Sequence, residues 1–166
     1  MDGLRLPRLV EDAPGAAGLL RALMDDAEPL WVGGALRVPR VEITSALEAA
    51  LKSAFAAGQV VRGLESAERA LSAEALGLQH VDRTTGVARG GRVSRLIVLA
   101  DDGAERFYRN VESLVRQHAP RVLALRLTAD ERALGEILFG PDHVARLLLI
   151  EHKTAVSSVL LALAAP

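Results

Sequence analysis

Three short apolar runs, each followed by a segment of helical periodicity, constrain the fold more than anything else in this chain. SRLIVLA (94–100), RVLALRL (121–127) and HVARLLLIE (143–151) are each too short for a buried helix and carry Leu, Ile and Val almost without interruption. Runs of that length between turn signals read as buried strands. AERFYRNVESLVRQH follows the first run and puts Phe107, Val111, Leu114, Val115 and His118 on one helical face. Its pairs Glu105/Arg109 and Glu112/Arg116 fall four apart on the other, wet side. Pro120 stops that helix. TADERALGEILFG follows the second run, with Thr128 or Asp130 as N-cap and Gly140 as stop, and KTAVSSVLLALA follows the third, with Val156, Val159, Leu160 and Leu163 inward. Strand and helix alternating three times in about 70 residues imply right-handed crossovers and a largely parallel sheet covered by helices.

Upstream, SALEAALKSAFAAG reads as a helix closed by Gly58, QVVR as a short strand, and GLESAERALSAEAL as a helix presenting Leu64, Ala67 and Leu71. TTGVARGGR (84–92) reads as an exposed loop. The first 43 residues are broken by prolines, with a short helix at GAAGLLRALMDD and a hairpin around Gly33-Gly34. The expected class is therefore α/β, a three-layer α-β-α sandwich around a small four-stranded sheet, largely parallel or mixed. Residues 44–166 form that domain, with an Arg/Gly-rich insertion at about 80–93, behind an irregular N-terminal segment 1–43.

Composition narrows the function. Half the residues are apolar and there is no cysteine, so a core is available while disulfides, thiolate metal sites and a Cys nucleophile are excluded. Neither a signal peptide nor an apolar membrane span is visible, and the expectation is a cytoplasmic protein without a membrane partner. A net charge of −1 argues against a basic coat for nucleic acid, although HVDRTTGVARGGRVSR holds Arg83, Arg89, Arg92 and Arg95 against the single acid Asp82. The four histidines show no ligand spacing, so no metal is expected, and no phosphate-loop or nucleophile-elbow motif is present. No cofactor is implied.

From about Thr44 onward the chain resembles the kink-turn RNA-binding ribosomal protein superfamily, in particular its bacterial YlxQ-like members. The resemblance rests on LKSAFAAGQVVRGLESAERAL, RLIVLADD, ERALGEILFG and VARLLLIEHKTAV, in that order. VGGALRVPRVEITSALEAALKSAF is similar to a degenerate YlxR-like segment, without that domain's cysteines or its GRGA signature. The chain departs from the family in the long connection from Ser72 to Ser94 and in its lower positive charge. The resemblance implies a non-catalytic protein that reads structured RNA, ribosomal RNA included, through the helix starting at Gly63 and adjacent loops. It implies that Glu65 accepts hydrogen bonds from a guanine edge and that Arg69 contacts phosphate or base. It also implies that the turn FGPDHV, with Phe139, Pro141 and His143, meets flipped bases, beside an arginine loop carrying Arg83, Arg89 and Arg92.

The residues themselves leave other readings open. Glu65 and Arg69 are equally an ordinary i,i+4 pair, and the fold could serve a protein partner after loss of RNA affinity. Asp101-Asp102, at the carboxyl end of a strand, can hold Mg²⁺ for phosphotransfer chemistry or simply cap the helix that follows.

Overall fold

Alternation along three strands puts apolar side chains on both faces of one sheet, and helices from both halves of the chain cover them. The computed structural model describes residues 4–85 and 91–164, with the backbone alone for 81–85. In chain order the elements are α1 (Arg8–Glu11), α2 (Ala16–Asp25), β1 (Ala27–Pro29), β2 (Arg37–Val41), α3 (Ser45–Ala56), β3 (Val60–Arg62) and α4 (Leu64–Thr85). There follow β4 (Arg95–Leu99), α5 (Glu105–Gln117), β5 (Val122–Leu127), α6 (Glu131–Phe139), β6 (Leu147–Ile150) and α7 (Lys153–Ala164). The strands form one sheet in the order β1-β2-β5-β4-β6-β3.

The α/β class holds, but the sheet has six strands rather than four. The two extra strands come from the N-terminal segment. β1 and β2 make the hairpin expected around Gly33-Gly34, and β2 pairs in parallel with β5 through Arg40↔Arg126 and Val41↔Leu127. Without β2, the apolar β5 would be a bare sheet edge. The sheet is mixed: β2, β5 and β4 run parallel, while β1, β6 and β3 run against their neighbours.

Leu96, Val98, Leu123, Leu125, Leu148 and Ile150 face one core, which α1, α2, α3, α6 and α7 close with residues such as Val10, Leu23, Leu51, Leu134 and Val156. Ile97, Leu99, Val122, Ala124, Leu147 and Leu149 face the other, closed by Ala67 and Leu71 of α4 and by Tyr108, Val111, Leu114 and Val115 of α5. Each fully buried Leu or Ile contributes about 1.5–3 kcal/mol. On α5, Tyr108 rather than Phe107 is the fully buried ring. Glu112 is not on the wet side either: it is buried, and its carboxylate accepts the Leu36 N–H at 3.0 Å. Glu105 and Arg109 do pair across one turn, at 3.0 Å.

The helix expected to close near Leu76 runs on to Thr85, so Arg83 lies on α4 and not in a loop. Between Leu64 and Thr85, Gly77 is the only residue that disfavours helix strongly, and Ala, Leu and Glu prevail. Just before the expected end, Glu74 fastens α4 to the sheet: its two carboxylate oxygens accept from Arg95 at 2.8 Å and Arg121 at 3.2 Å, at the starts of β4 and β5. No helix among the described residues is long and apolar enough to cross a membrane.

Two predictions come from these ties. Glu74→Ala leaves two largely buried guanidinium groups without their carboxylate, and should cost about 1–3 kcal/mol in urea unfolding together with helical signal from frayed α4. An unchanged midpoint would show that the ties are idle. His118, buried at the C-terminus of α5 with Nε2 unpartnered, has its pKa lowered by burial first and by Arg121 second. The fold therefore favours the neutral ring. The stability that goes with it is complete above the unfolded value of about 6.5 and is lost as pH falls through the lowered folded value. His118→Gln should remove that part of the acid destabilisation, read as midpoint against pH.

Candidate nucleic-acid interface

Parallel β4 and β5 end on the same side of the sheet, and the antiparallel register of β6 and β3 brings Arg62 and Gly63 to that side too. The N-termini of α4, α5 and α6 therefore lie together. Gly63 makes the turn from β3 into α4 at φ +94°, a conformation costly for any residue with a Cβ. Its N–H donates to Leu147 O at 2.9 Å, and its carbonyl accepts the first helical bond, from Ala67 N at 3.0 Å. The N–H groups of the first turn of α4 thus have no acceptor within the helix and carry the positive end of its dipole.

The three helix ends differ. That of α6 is closed by two carboxylates: Asp130 accepts from Ala133 N at 2.8 Å and Asp102 from Glu131 N at 2.9 Å. Asp130 is thus the N-cap of α6. Asp102, expected to cap the next helix in sequence, instead reaches across the sheet end to α6, while α5 starts at Ala104 without a side-chain cap. Tyr108 holds the intervening turn, its hydroxyl donating to Ala100 O at 2.7 Å and accepting from Gly103 N at 3.1 Å. Burial raises the pKa of that hydroxyl.

Beside the open ends of α4 and α5 lies a cleft of about 420 Å³, lined by Arg62, Gly63, Leu64, Phe107, Glu131 and the segment 144–147. Arg62 hydrogen-bonds Val144 O and lays its guanidinium 4.5 Å from the centre of the Phe139 ring. Phe139 meets Phe55 edge-on at 5.1 Å and lies 6.4 Å from the His143 ring. Arg146 pairs with Glu131. Pro141, His143 and Val144 are exposed on a turn in which Gly140 and Asp142 both have positive φ.

That turn is fixed from below. Ala145 N donates to Glu131 O at 2.8 Å, and the turn's backbone passes so close to Gly135 that a Cβ there would stand 2.3 Å from His143 O. The LG of ERALGEILFG is therefore a packing requirement.

Of the residues expected to form one site, Gly63, Phe139, Pro141 and His143 come together. Glu65 and Arg69 lie exposed on the first turns of α4, and no ion pair joins them; Arg69 donates instead to Ser66 Oγ at 3.4 Å. Arg92 is not with them. It precedes β4, at the opposite end of the sheet, where it donates to Leu6 O at 2.8 Å and pairs with Glu11 at 2.7 Å. Hydrogen bonds from Arg5 and then Arg92 hold the Glu11 carboxyl down to about 2. The α4 backbone carries Arg83 about 30 Å from Gly63, at about 1.5 Å per residue. Arg89 and the side chain of Arg83 fall outside the described residues.

Sequence reasoning missed Arg62, Phe107 and Arg146. Arg62 adjoins Gly63 in sequence and was the accessible one; Phe107 and Arg146 join the cleft only through the return of β6. Among the described residues no three His, Asp or Glu side chains are grouped to hold a metal ion. Compared with protein-family models and with curated proteins, the chain matches none.

Gly135→Ala should destabilise the fold by about 1–3 kcal/mol, because the carbonyl in its way belongs to backbone. The loss should appear in thermal unfolding, together with changed amide shifts at 140–146. A neutral substitution would mean that the turn is free to move away.

Proposed function

We propose that this chain is a non-catalytic RNA-binding protein that reads structured RNA of the kink-turn type through the edge around Gly63. The observation that carries the reading is the cleft itself: an apolar floor of Leu64 and Phe107, flanked by Arg62, by Arg146 with its partner Glu131, by the Gly63 turn into α4 and by the uncapped N-terminus of α5. An unstacked base needs an aromatic or aliphatic surface, and its phosphates need N–H groups and guanidinium ions close by. The exposed Pro141, His143 and Val144 extend the same edge. Glu65 and Arg69 remain free to act separately on it, since they do not pair. The resemblance to the kink-turn-binding superfamily adds support from the order of its four motifs.

A protein-interaction module on the same fold is the alternative. The net charge of −1 and the internal engagement of Arg92 and Arg95 favour it, because both reduce the cationic surface open to phosphate. A phosphotransfer role for Asp101 and Asp102 has less behind it, since Asp102 already serves as a helix cap.

Fluorescence anisotropy against a kink-turn RNA and a matched plain duplex, at two salt concentrations, separates these readings. The expected result is selective binding that weakens with salt and falls about tenfold in Arg62→Ala. No binding at low salt would sink the RNA reading and leave the protein module.

A further inference from the structure

A second depression adjoins the cleft and shares Leu64 with it. This groove of about 350 Å³ runs between α4 and α5. Glu65 and Glu68 line it from α4, and Asn110, Ser113 and Gln117 from α5, over a floor of Leu64 and Leu114. The α5 trio is spaced i, i+3, i+7, so one face of that helix presents an amide, a hydroxyl and an amide in a row. All five polar side chains are exposed, and no hydrogen bond or ion pair within the described residues occupies any of them. By contrast, Glu28, Glu74, Glu112 and Glu131 elsewhere in the chain are each engaged by an arginine or a backbone N–H.

The chemistry of the groove differs from that of the cleft. It holds no cation and two carboxylates, so a phosphate is repelled from its centre. Carboxylates accept from the amino and imino groups of bases, and Asn and Gln amides both donate and accept along a base edge. Base edges and ribose hydroxyls offer both kinds of partner, whereas a lysine or arginine side chain offers donors alone and would leave the amide N–H groups and the serine proton unused. Continuity through Leu64 means that a strand whose base occupies the cleft is already at the mouth of the groove.

The geometry points to the α4–α5 groove as a second base-reading subsite, which takes unpaired nucleotides of the RNA strand leaving the Gly63 edge and hydrogen-bonds them through Asn110, Ser113 and Gln117 as well as Glu65 and Glu68. This rests on the RNA-binding reading above.

The test is a coupling experiment on the full chain. Affinity is measured for a kink-turn RNA and for the same RNA with its unpaired bases replaced by abasic sites, using wild type, Asn110→Ala/Ser113→Ala/Gln117→Ala and Arg62→Ala. The triple variant alters exposed positions only, and its fold is checked by thermal unfolding. The expected result is about a tenfold loss for the triple variant on intact RNA, with a smaller loss than wild type on going to the abasic RNA. Wild-type affinity in the triple variant, or losses that simply multiply, would overturn the groove; a loss in Arg62→Ala would then leave the RNA reading standing. Absence of binding by wild type at low salt would overturn both. Capture of an arginine-rich peptide by wild type but not by the triple variant, with RNA affinity unmoved, would assign the groove to a cationic protein segment and overturn the base-reading role.

Discussion

The insertion of β6 between β4 and β3, antiparallel to both, is the constraint on which the rest of the molecule depends. Its register sets Leu99 against Leu147 and Arg62 against Leu148, so the strand that leads into α4 ends beside the strands that lead into α5 and α6. A parallel β6 would have sent the Gly63 turn to the other end of the sheet. Because β6 is Leu147-Leu148-Leu149-Ile150, buried on both faces, a register shift of one residue exchanges every side chain between two packed cores. The position of Gly63 is thus held by hydrophobic burial, and the hydrogen bond from Gly63 N to Leu147 O completes the turn.

Charge is arranged on top of that frame, and much of it is spent inside the molecule. Arg95 and Arg121 converge on Glu74, Arg40 and Arg126 on Glu28, and Arg5 and Arg92 on Glu11. Each set ties elements that are remote in sequence, and each removes cations from the surface available to a ligand. The more exposed of these pairs, such as Arg40–Glu28 and Arg5–Glu11, contribute about 0–1 kcal/mol apiece, so apart from the half-buried Glu74 ties their consequence lies more in where arginines do not point than in stability. At the Gly63 end of the sheet, Arg62 lies across Phe139 and the N-terminus of α5 has no side-chain cap.

The sequence was legible where periodicity was strong. The runs at 95–99, 122–127 and 147–150 and the helices between them follow from alternation and turn signals alone, and Asp130 and Gly140 bound α6 as their residue types require. The strand count was not legible, because Ala27–Pro29 and Arg37–Val41 carry prolines and arginines and become strands only by pairing on β5. Nor was the tie that holds α4 to the sheet: the donors to Glu74, Arg95 and Arg121, lie at the starts of β4 and β5, remote from it in sequence. The candidate site was half legible. Gly63 and the turn after Phe139 were named through the family resemblance, whereas Phe107 and Arg146 join them through tertiary pairing, and Arg92 is drawn away by Glu11.

The most direct measurement is hydrogen exchange of the free protein and of the protein with kink-turn RNA, resolved along the chain. The account predicts new protection at 62–66, 105–108 and 140–147, around one end of the sheet, with little change at 91–95 at the other. Protection centred on 91–95, or none anywhere while RNA is bound, would contradict it.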